Sequence, residues 1–524
     1  MKLSKNAKIV LKQRYLKKIK GKYETPESMF RRIAKNIASA DKKYNENYKK
    51  SEKEFYEIMT NFKFLPNTPA LRNAGRKIQQ LSACFVLPVE DSIEEIFESV
   101  KNLAIIQKTG GGTGFSFSRL RPKNSLVKET GGIASGPVSF MKVFDSATAA
   151  IKEGGIRRGA NMGILRIDHP DILEFITAKK EPNSLNNFNI SVALTDKFIQ
   201  AIKKNQNYSL INPSTKKPLK KLNARKVFNL LCKMAWLNGE PGTIFIDKIN
   251  KSNPTPKIGK IESTNPCAEQ PLLPYESCVL GSVNLIKFIK ENRLDYDELK
   301  KTIQIAVHFL DNVIDMNNYP IPEIEKITKS NRKIGLGIMG WADILVKLDI
   351  SYDSEKAIKF AESLMKFFTY EARMASVNLA KKRGPFPNFK ESIFYKKYSC
   401  LRNATVTTIA PTGTLNLIAN CSSGIEPIFS KSFYHQVMSG KKLYEYREGN
   451  FKTAHEIKPK WHVKMQSAFQ KYTDNAVSKT VNLKYNSPIS EVKKIFLTAY
   501  EQGSKGIAVF RDKSRPKQVL YSKK

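Results

Sequence analysis

The strongest constraint on this chain is an alternation. After Gly110-Gly111-Gly112, strand-like and helical stretches follow one another for roughly 300 residues with no clear linker, the pattern of α/β architecture with parallel strands. No repeat period in the solenoid range and no low-complexity tract interrupts it. The chain of 524 residues is long enough for several small domains or one large barrel with additions, and its 41% hydrophobic and 26% charged content is that of a folded, water-soluble protein.

Ahead of that body the chain reads as helical and charged over residues 1–62. Residues 1–23 hold nine Lys/Arg and no acid, interleaved with Ile9, Val10, Leu11, Tyr15, Leu16 and Ile19, which predicts a basic amphipathic helix. A helix covering a domain surface is favoured over a nucleic-acid arm. Thr25-Pro26-Glu27 opens a second amphipathic helix, Ser92 and Glu95 form a capping-box pattern, and a long helix is expected from Ser354 to Arg383 with Gly384-Pro385 as its stop.

The net charge of +41 suits anionic partners, but the basic residues run through the whole chain, so a general surface bias accounts for most of it and nucleic acid is not the expected partner. No signal peptide is visible. The uncharged stretch 403–425 is broken by Pro411, Gly413, Asn416 and Asn420, which predicts a buried strand and ligand-contacting loop, not a membrane span. Six cysteines and no CxxC pair point to the reducing cytoplasm, and with five histidines they leave little material for a zinc site; no metal ligands are assigned.

Three segments carry chemistry. Gly335-Leu336-Gly337-Ile338-Met339-Gly340 fits GxGxxG, but the residues around position 360 read as helix where a ribose-binding acid should come, so close strand-to-helix packing is the better account. Gly154–Met162 joins glycines to Arg157 and Arg158, planar donors suited to phosphate or a base edge, with a plain surface turn as the alternative. Asn265-Pro266-Cys267-Ala268-Glu269 is the most informative. In an extended segment, alternation would set the amide, thiol and carboxylate of residues 265, 267 and 269 in a row on one face; a buried structural cysteine beside an incidental Glu is the alternative.

The motifs as a set resemble the catalytic subunits of ribonucleotide reductases, most closely the adenosylcobalamin-dependent class. LPNTPALRNAG at 65–75, LSACFVLPVEDSI at 81–93, GGGTGFSFSRLRP at 110–122, GGIRRGANMGILRIDHPDI at 154–172, NPCAEQPLLPYESC at 265–278, RKIGLGIMG at 332–340, PTGTLNLIANCSSGIEP at 411–427 and AVSKTVNL at 476–483 carry the resemblance in order. It implies a ten-stranded α/β barrel at 63–515, after the helical module 1–62 and before a basic tail 516–524, with a central loop presenting a radical cysteine. Cys267 would be the thiyl that takes the ribose 3′ hydrogen, Glu269 the general base and Asn265 a hydrogen-bond partner of the substrate hydroxyls, while Cys84 and Cys278 would supply two electrons. Substrate phosphate would sit on Pro411-Thr412-Gly413-Thr414-Leu415, with Thr68, Ala83 and Gly112 as further contacts. A deoxynucleoside triphosphate or ATP effector would bind near Asp91 and Arg121, with Gly155, Arg157, Arg158 and Asn161 relaying its identity.

Within the family, residues 506–512 lack the paired tyrosines of the metal-radical class, and Cys278 follows Cys267 at the cobalamin-class spacing. The absence of DxHxxG fits a cofactor that keeps its own base on cobalt. A diphosphate substrate, a homodimer and a thioredoxin- or glutaredoxin-like reductant are implied. The last cysteine is Cys421, so a tail cysteine pair is expected to come from a separate polypeptide or a small dithiol protein to act directly. With no room for an ATP-cone, on/off regulation by ATP and dATP is expected to be absent. A metal-radical subunit needing a partner, and a catalytically silent nucleotide- or nucleic-acid-binding relative, are the competing readings.

Overall fold

The computed structural model describes residues 1–127, 131–151, 159–436, 442–515 and 520–522. Its centre is a ten-stranded sheet: β1 (Phe64–Pro66), β2 (Cys84–Leu87), β3 (Gly112–Ser116), β4 (Asn161–Arg166), β5 (Phe188–Leu194), β6 (Gly242–Phe245), β7 (Ser277–Asn284), β8 (Ile334–Met339), β9 (Thr480–Leu483) and β10 (Gly506–Arg511). The order is β8-β7-β2-β3-β4-β5-β6-β10-β9, with β1 paired antiparallel to β7. Strands β2 to β6 run parallel to one another, β10 and β9 are parallel, β7 and β8 are parallel, and the two junctions, β7 to β2 and β6 to β10, are antiparallel.

The ring closes through residues 405–409. Leu336 of β8 bridges Thr407, and Ile409 bridges Val477 just before β9, both in parallel sense. That extended stretch is the uncharged segment whose composition predicts a buried strand. Closure removes the open edges a long sheet would otherwise present.

Helices cover the outside. They include α1 (Lys5–Arg14), α2 (Pro26–Ala38), α3 (Tyr48–Thr60), α4 (Ile93–Thr109), α5 (Pro137–Ala150), α6 (Tyr296–Met316), α7 (Glu355–Arg383) and the short α8 (Leu415–Ala419). Sequence signals set their ends. Thr25 accepts from Ser28 N ahead of Pro26, Ser92 accepts from Glu95 N, and Ser354 accepts from Ala357 N at the start of the long helix that stops before Gly384.

The basic N-terminal helix buries Ala7, Val10 and Leu11 and then gives way to a hairpin of Lys18–Ile19 with Lys22–Tyr23. It covers a surface of the body, and Val10, Leu11 and Tyr15 join the same apolar core as α2, α3, α6 and α7. A buried ionic network fastens the N-terminal helices to the rest. Arg383 donates to Asp41, Glu46, Asp311 and Asn312, while Arg332 and Arg402 also reach Asp311. Asp41, Glu46 and His308 lie close enough to hold a cation, but the Arg383 guanidinium bonds all of them. Among the described residues, no helix is long and apolar enough to cross a membrane.

Candidate active site

A hairpin lies between β3 and β8. Ser263–Thr264 pair antiparallel with Pro271–Leu272, and residues 265–270 form the turn. On one side it lies against β3, where a Cβ on Gly114 would stand 1.7 Å from Thr264 O and one on Gly112 would stand 3.1 Å from Pro266 Cγ. On the other side it meets β8, where a Cβ on Gly335 would approach Gln270 Nε2 to 2.7 Å. The glycines are there because only a strand face without Cβ atoms lets a second backbone come so near. The GxGxxG pattern is likewise a packing device: a Cβ on Gly337 would meet Thr408 O at 2.2 Å, and Gly340, at φ +81°, turns the chain from β8 into the next helix.

Both walls hold the turn. Asn189 of β5 donates to Pro266 O at 2.8 Å, Ala476 N donates to Glu269 O at 2.9 Å, and Thr408 Oγ1 donates to the same carbonyl at 2.8 Å. Inside the turn Asn265 N donates to Gln270 O, Ala268 N to Asn265 O and Gln270 N to Asn265 Oδ1. Residues 265 to 269 are therefore not an extended row. Ala268 sits at φ +64°, so the strand-like alternation that would align residues 265, 267 and 269 is broken at the tip. What brings their side chains together is a tight turn.

The tip presents Cys267 as an exposed thiol, while Glu269 and Asn265 are buried. Cys84 and Cys278 are both buried and stand directly opposite each other on β2 and β7. Opposed residues of an antiparallel pair have Cα atoms about 4.5–5.5 Å apart, inside the span of a disulfide. Asn265 Nδ2 donates to Cys84 Sγ at 3.1 Å. Burial pushes the Cys84 thiol well up, and the charges of Glu269, Cys278 and Cys267 push the same way against the Asn265 hydrogen bond. Burial raises Cys278 too, with Lys333 opposing and Glu276 and Glu269 adding. Cys267, Cys278 and Glu269 thus all act electrostatically on the Cys84 sulfur. Both raised values favour the neutral thiol form of the buried pair.

Of the residues expected to contact phosphate, two lie beside the buried cysteines. Ala83 N donates to Cys278 O and Gly112 N to Ala83 O, so both flank the buried pair. Thr412 adopts φ +54° and its hydroxyl accepts from Gly424 N, while Gly413 is exposed with nothing within 4 Å of a Cβ placed there. Thr414 Oγ1 accepts from Arg14 Nη1 at 3.2 Å, and Thr68 Oγ1 meets Tyr15 OH at 2.9 Å. Residues 14 and 15 hold both threonines.

Asp91 and Arg121 form a separate group. Arg121 donates through Nε to Asp91 Oδ2 and through its backbone N to Asp91 Oδ1, each at 2.9 Å. Asn161 is wholly buried at the head of β4, accepting from Gln107 and Thr113 and donating to Thr148, so it grips α4, β3 and α5 and faces no solvent. Gly155, Arg157 and Arg158 lie outside the described residues, as does most of the tail 516–524. Asn189 is invisible to sequence reading because a lone Asn in a strand carries no signal. Thr408 and Ala476 stand beside or inside recognisable stretches, which give them no particular part.

A family model described as "Ribonucleotide reductase, barrel domain" matches residues 82–400, 395–448 and 441–510, and one described as "Ribonucleotide reductase, all-alpha domain" matches residues 1–79. This chain belongs to the ribonucleotide reductase family. Among curated reductases, the vitamin B12-dependent ribonucleoside-diphosphate reductase of Thermoplasma acidophilum is 45% identical over 99% of this chain and 80% of its own length. The protein of the same name from Mycobacterium tuberculosis is 42% identical over 100% of this chain and 81% of its own. The ribonucleoside-diphosphate reductase subunit alpha of Chlamydia pneumoniae is 28% identical over 86% of this chain and 54% of its own.

Proposed function

We propose that this reductase converts ribonucleoside diphosphates to 2′-deoxyribonucleoside diphosphates with adenosylcobalamin as radical source, oxidising Cys84 and Cys278. The observation that carries this reading is the division of the cysteines, one exposed at the tip of a loop held from both walls and two buried opposite each other beneath it. The names of the relatives at 45% and 42% identity support cobalamin and the diphosphate.

The cofactor fits the residues present. Cys267 is exposed where its two partners are buried, so its sulfur is the one a bulky radical source outside the barrel can reach. Beside Cys267, adenosylcobalamin would supply the radical chemistry that generates a thiyl. The chain supplies position, proton handling and exclusion of water. Cys267 as thiyl takes the 3′ hydrogen, forming an S–H bond of strength comparable to the C–H bond broken. Glu269 accepts the 3′-OH proton. The two thiols at Cys84 and Cys278 give two electrons and two hydrogens in all, the 2′-OH leaves as water, the sulfurs close into a disulfide, and Cys267 and Glu269 return the hydrogen to C3′ and the proton to the 3′ oxygen.

Asn265 holds Cys84 and the loop in the free enzyme, and its amide is within the same site for the substrate hydroxyls. The phosphates lie on Pro411–Leu415 with Thr68, Ala83 and Gly112 nearby. Asp91 and Arg121 take the effector, a deoxynucleoside triphosphate or ATP, and Asn161 positions the strand that comes after the relaying segment. A homodimer is supported by Ile93 and Phe97, exposed one turn apart on α4. A thioredoxin- or glutaredoxin-like dithiol protein restores the thiols in the cytoplasm. We infer a helical module over 1–62, a barrel over 63–515 and a basic tail after it.

The metal-radical reading has weaker support, from a relative at 28% identity named only as a ribonucleoside-diphosphate reductase subunit alpha. The silent-relative reading must explain why all three cysteines are kept in this arrangement. The test is single-turnover reduction of CDP by the purified chain with adenosylcobalamin, with and without dithiothreitol. The expected result is dCDP with loss of the Cys84 and Cys278 thiols. No dCDP, with CTP and effectors also failing, overturns the reading.

A further inference from the structure

We propose that the N-terminal helix supplies a wall of the substrate phosphate pocket, with Arg14 giving the terminal phosphate its charged contact and Tyr15 fixing that arginine in place. The inference rests on the reading that the phosphates lie on residues 411–415.

A nucleoside diphosphate is strongly anionic, yet residues 403–425 contain no charged side chain. Backbone N–H groups and hydroxyls alone would leave that charge without a cation. Among the described residues, Arg14 is the cation hydrogen-bonded to residues 411–415, at 3.2 Å from Thr414 Oγ1. It is half-buried. Two other half-buried arginines, Arg121 and Arg119, are instead matched to carboxylates, Asp91 and Glu262. Arg14 is matched to a neutral hydroxyl, which leaves its charge available for an anion. A guanidinium offers five donors, so one bond to Thr414 leaves the rest for phosphate oxygens.

The helix is held as a wall would need to be. Ala7, Val10 and Leu11 bury its apolar face, Ser4 caps its start, and Asn6 donates to Tyr444 O at 2.7 Å. At its end Tyr15 is wholly buried, with its hydroxyl on Thr68 and its carbonyl accepting from Arg76. Arg76 is pushed down to about 10 by burial and by the neighbouring Arg32 charge, with Arg72 acting the same way against Glu24. Arg76 and Arg32 share the buried Glu24 carboxylate, which fixes Arg76 where it holds the Tyr15 carbonyl. Gly413 leaves open space on the loop side.

The experiment measures KM and kcat for CDP with the holoenzyme, and equilibrium binding of CDP and cytidine to the full chain, for Arg14→Gln, Arg14→Lys, Thr414→Ala and Lys8→Gln, the last an exposed site on the same helix. Charged hydrogen bonds of this kind predict that Arg14→Gln raises KM and the CDP Kd about 10-fold or more, with kcat within about twofold and cytidine binding unchanged. Arg14→Lys restores part of the loss, Thr414→Ala weakens CDP binding, and Lys8→Gln behaves as the parent. Equal thermal melting of Arg14→Gln and parent separates this from unfolding; if Arg14→Gln melts early, Arg14→Lys against parent decides by the same ratio of CDP to cytidine affinity. Thr414→Ala weakening CDP while Arg14→Gln does not overturns the role of Arg14 and leaves the loop as phosphate site. Neither variant changing CDP affinity overturns both. A fall in kcat at unchanged KM makes Arg14 structural and overturns the proposal.

Discussion

Asn265 donates its side-chain amide to the sulfur of Cys84 over 3.1 Å and accepts from Gln270 N with the same side chain at 2.9 Å. One residue therefore closes the turn that carries Cys267 and fixes a member of the buried dithiol. Asn265→Ala removes both bonds and leaves the Gln270 N–H buried, which costs about 1–3 kcal/mol of stability. Turnover is expected to fall about 100-fold or more, because small displacements of a positioned reacting atom carry costs of that order. Asn265→Asp keeps the acceptor and loses the donor, so it should recover stability more than turnover. Urea denaturation and steady-state assay separate the two; parental turnover in Asn265→Ala would show that the amide holds nothing the reaction needs.

The cysteines divide by place, and their variants should divide the same way. Cys267→Ala is expected to abolish turnover while effector binding persists. Cys84→Ala and Cys278→Ala should each prevent dCDP formation in a single turnover, because one thiol cannot close a disulfide. Cys232 is also buried, but in a different apolar cluster from Cys84 and Cys278, and Cys232→Ala should keep the reaction. Thiol counting after one turnover checks this: loss of thiols in Cys278→Ala, or dead chemistry in Cys232→Ala, contradicts the assignment.

Gly114 and Gly337 should tolerate no side chain. An added Cβ would stand 1.7 Å from Thr264 O or 2.2 Å from Thr408 O, and backbone carbonyls cannot swing aside as a flexible side chain can. Gly114→Ala must shift the Cys267 loop or the strand beneath it, and a cost of about 1–3 kcal/mol or more is expected. Gly413→Ala meets open space and should melt like the parent. Thermal denaturation of the three variants is the check, and an unchanged melting temperature in Gly114→Ala would contradict the threaded loop.

Much of this fold is legible in the sequence for identifiable reasons. Helix starts are readable because Thr25, Ser92 and Ser354 cap them through local hydrogen bonds, and the buried bridging stretch at 405–409 because a charge-free run signals burial. Alternation places Asn265, Cys267 and Glu269 in an extended row, wrongly, since nothing local announces that Ala268 takes a left-handed turn; the long-range anchors Asn189, Thr408 and Ala476 impose it. Arg14 and Tyr15 read from the sequence only as members of a covering helix. Their partners Thr414 and Thr68 lie 400 and 53 residues away, a pairing that periodicity does not encode.

Acid should loosen the N-terminal helices first. Burial alone would raise Asp41, but hydrogen bonding to His308, its charge, and hydrogen bonds from Ser51 and Asn312 outweigh it and hold the carboxyl at about 2. Asp311 is likewise held well below the ordinary range by Arg332, Arg402 and Arg383 against its burial. A carboxyl with a depressed folded value binds its proton less readily folded than unfolded. Its contribution is therefore full above the unfolded value near 4 and is lost as pH falls from about 4 through about 2. Because Asp41 joins the residue 39–44 turn to α6 and α7, losing its charge releases the helices around it from the barrel. Unfolding free energy should hold steady from pH 6 to about 4.5 and then drop steeply, and Asp41→Asn should start lower and drop less steeply over the same interval. Urea titrations at stepped pH measure both, and parallel curves for parent and Asp41→Asn would remove Asp41 from the cause.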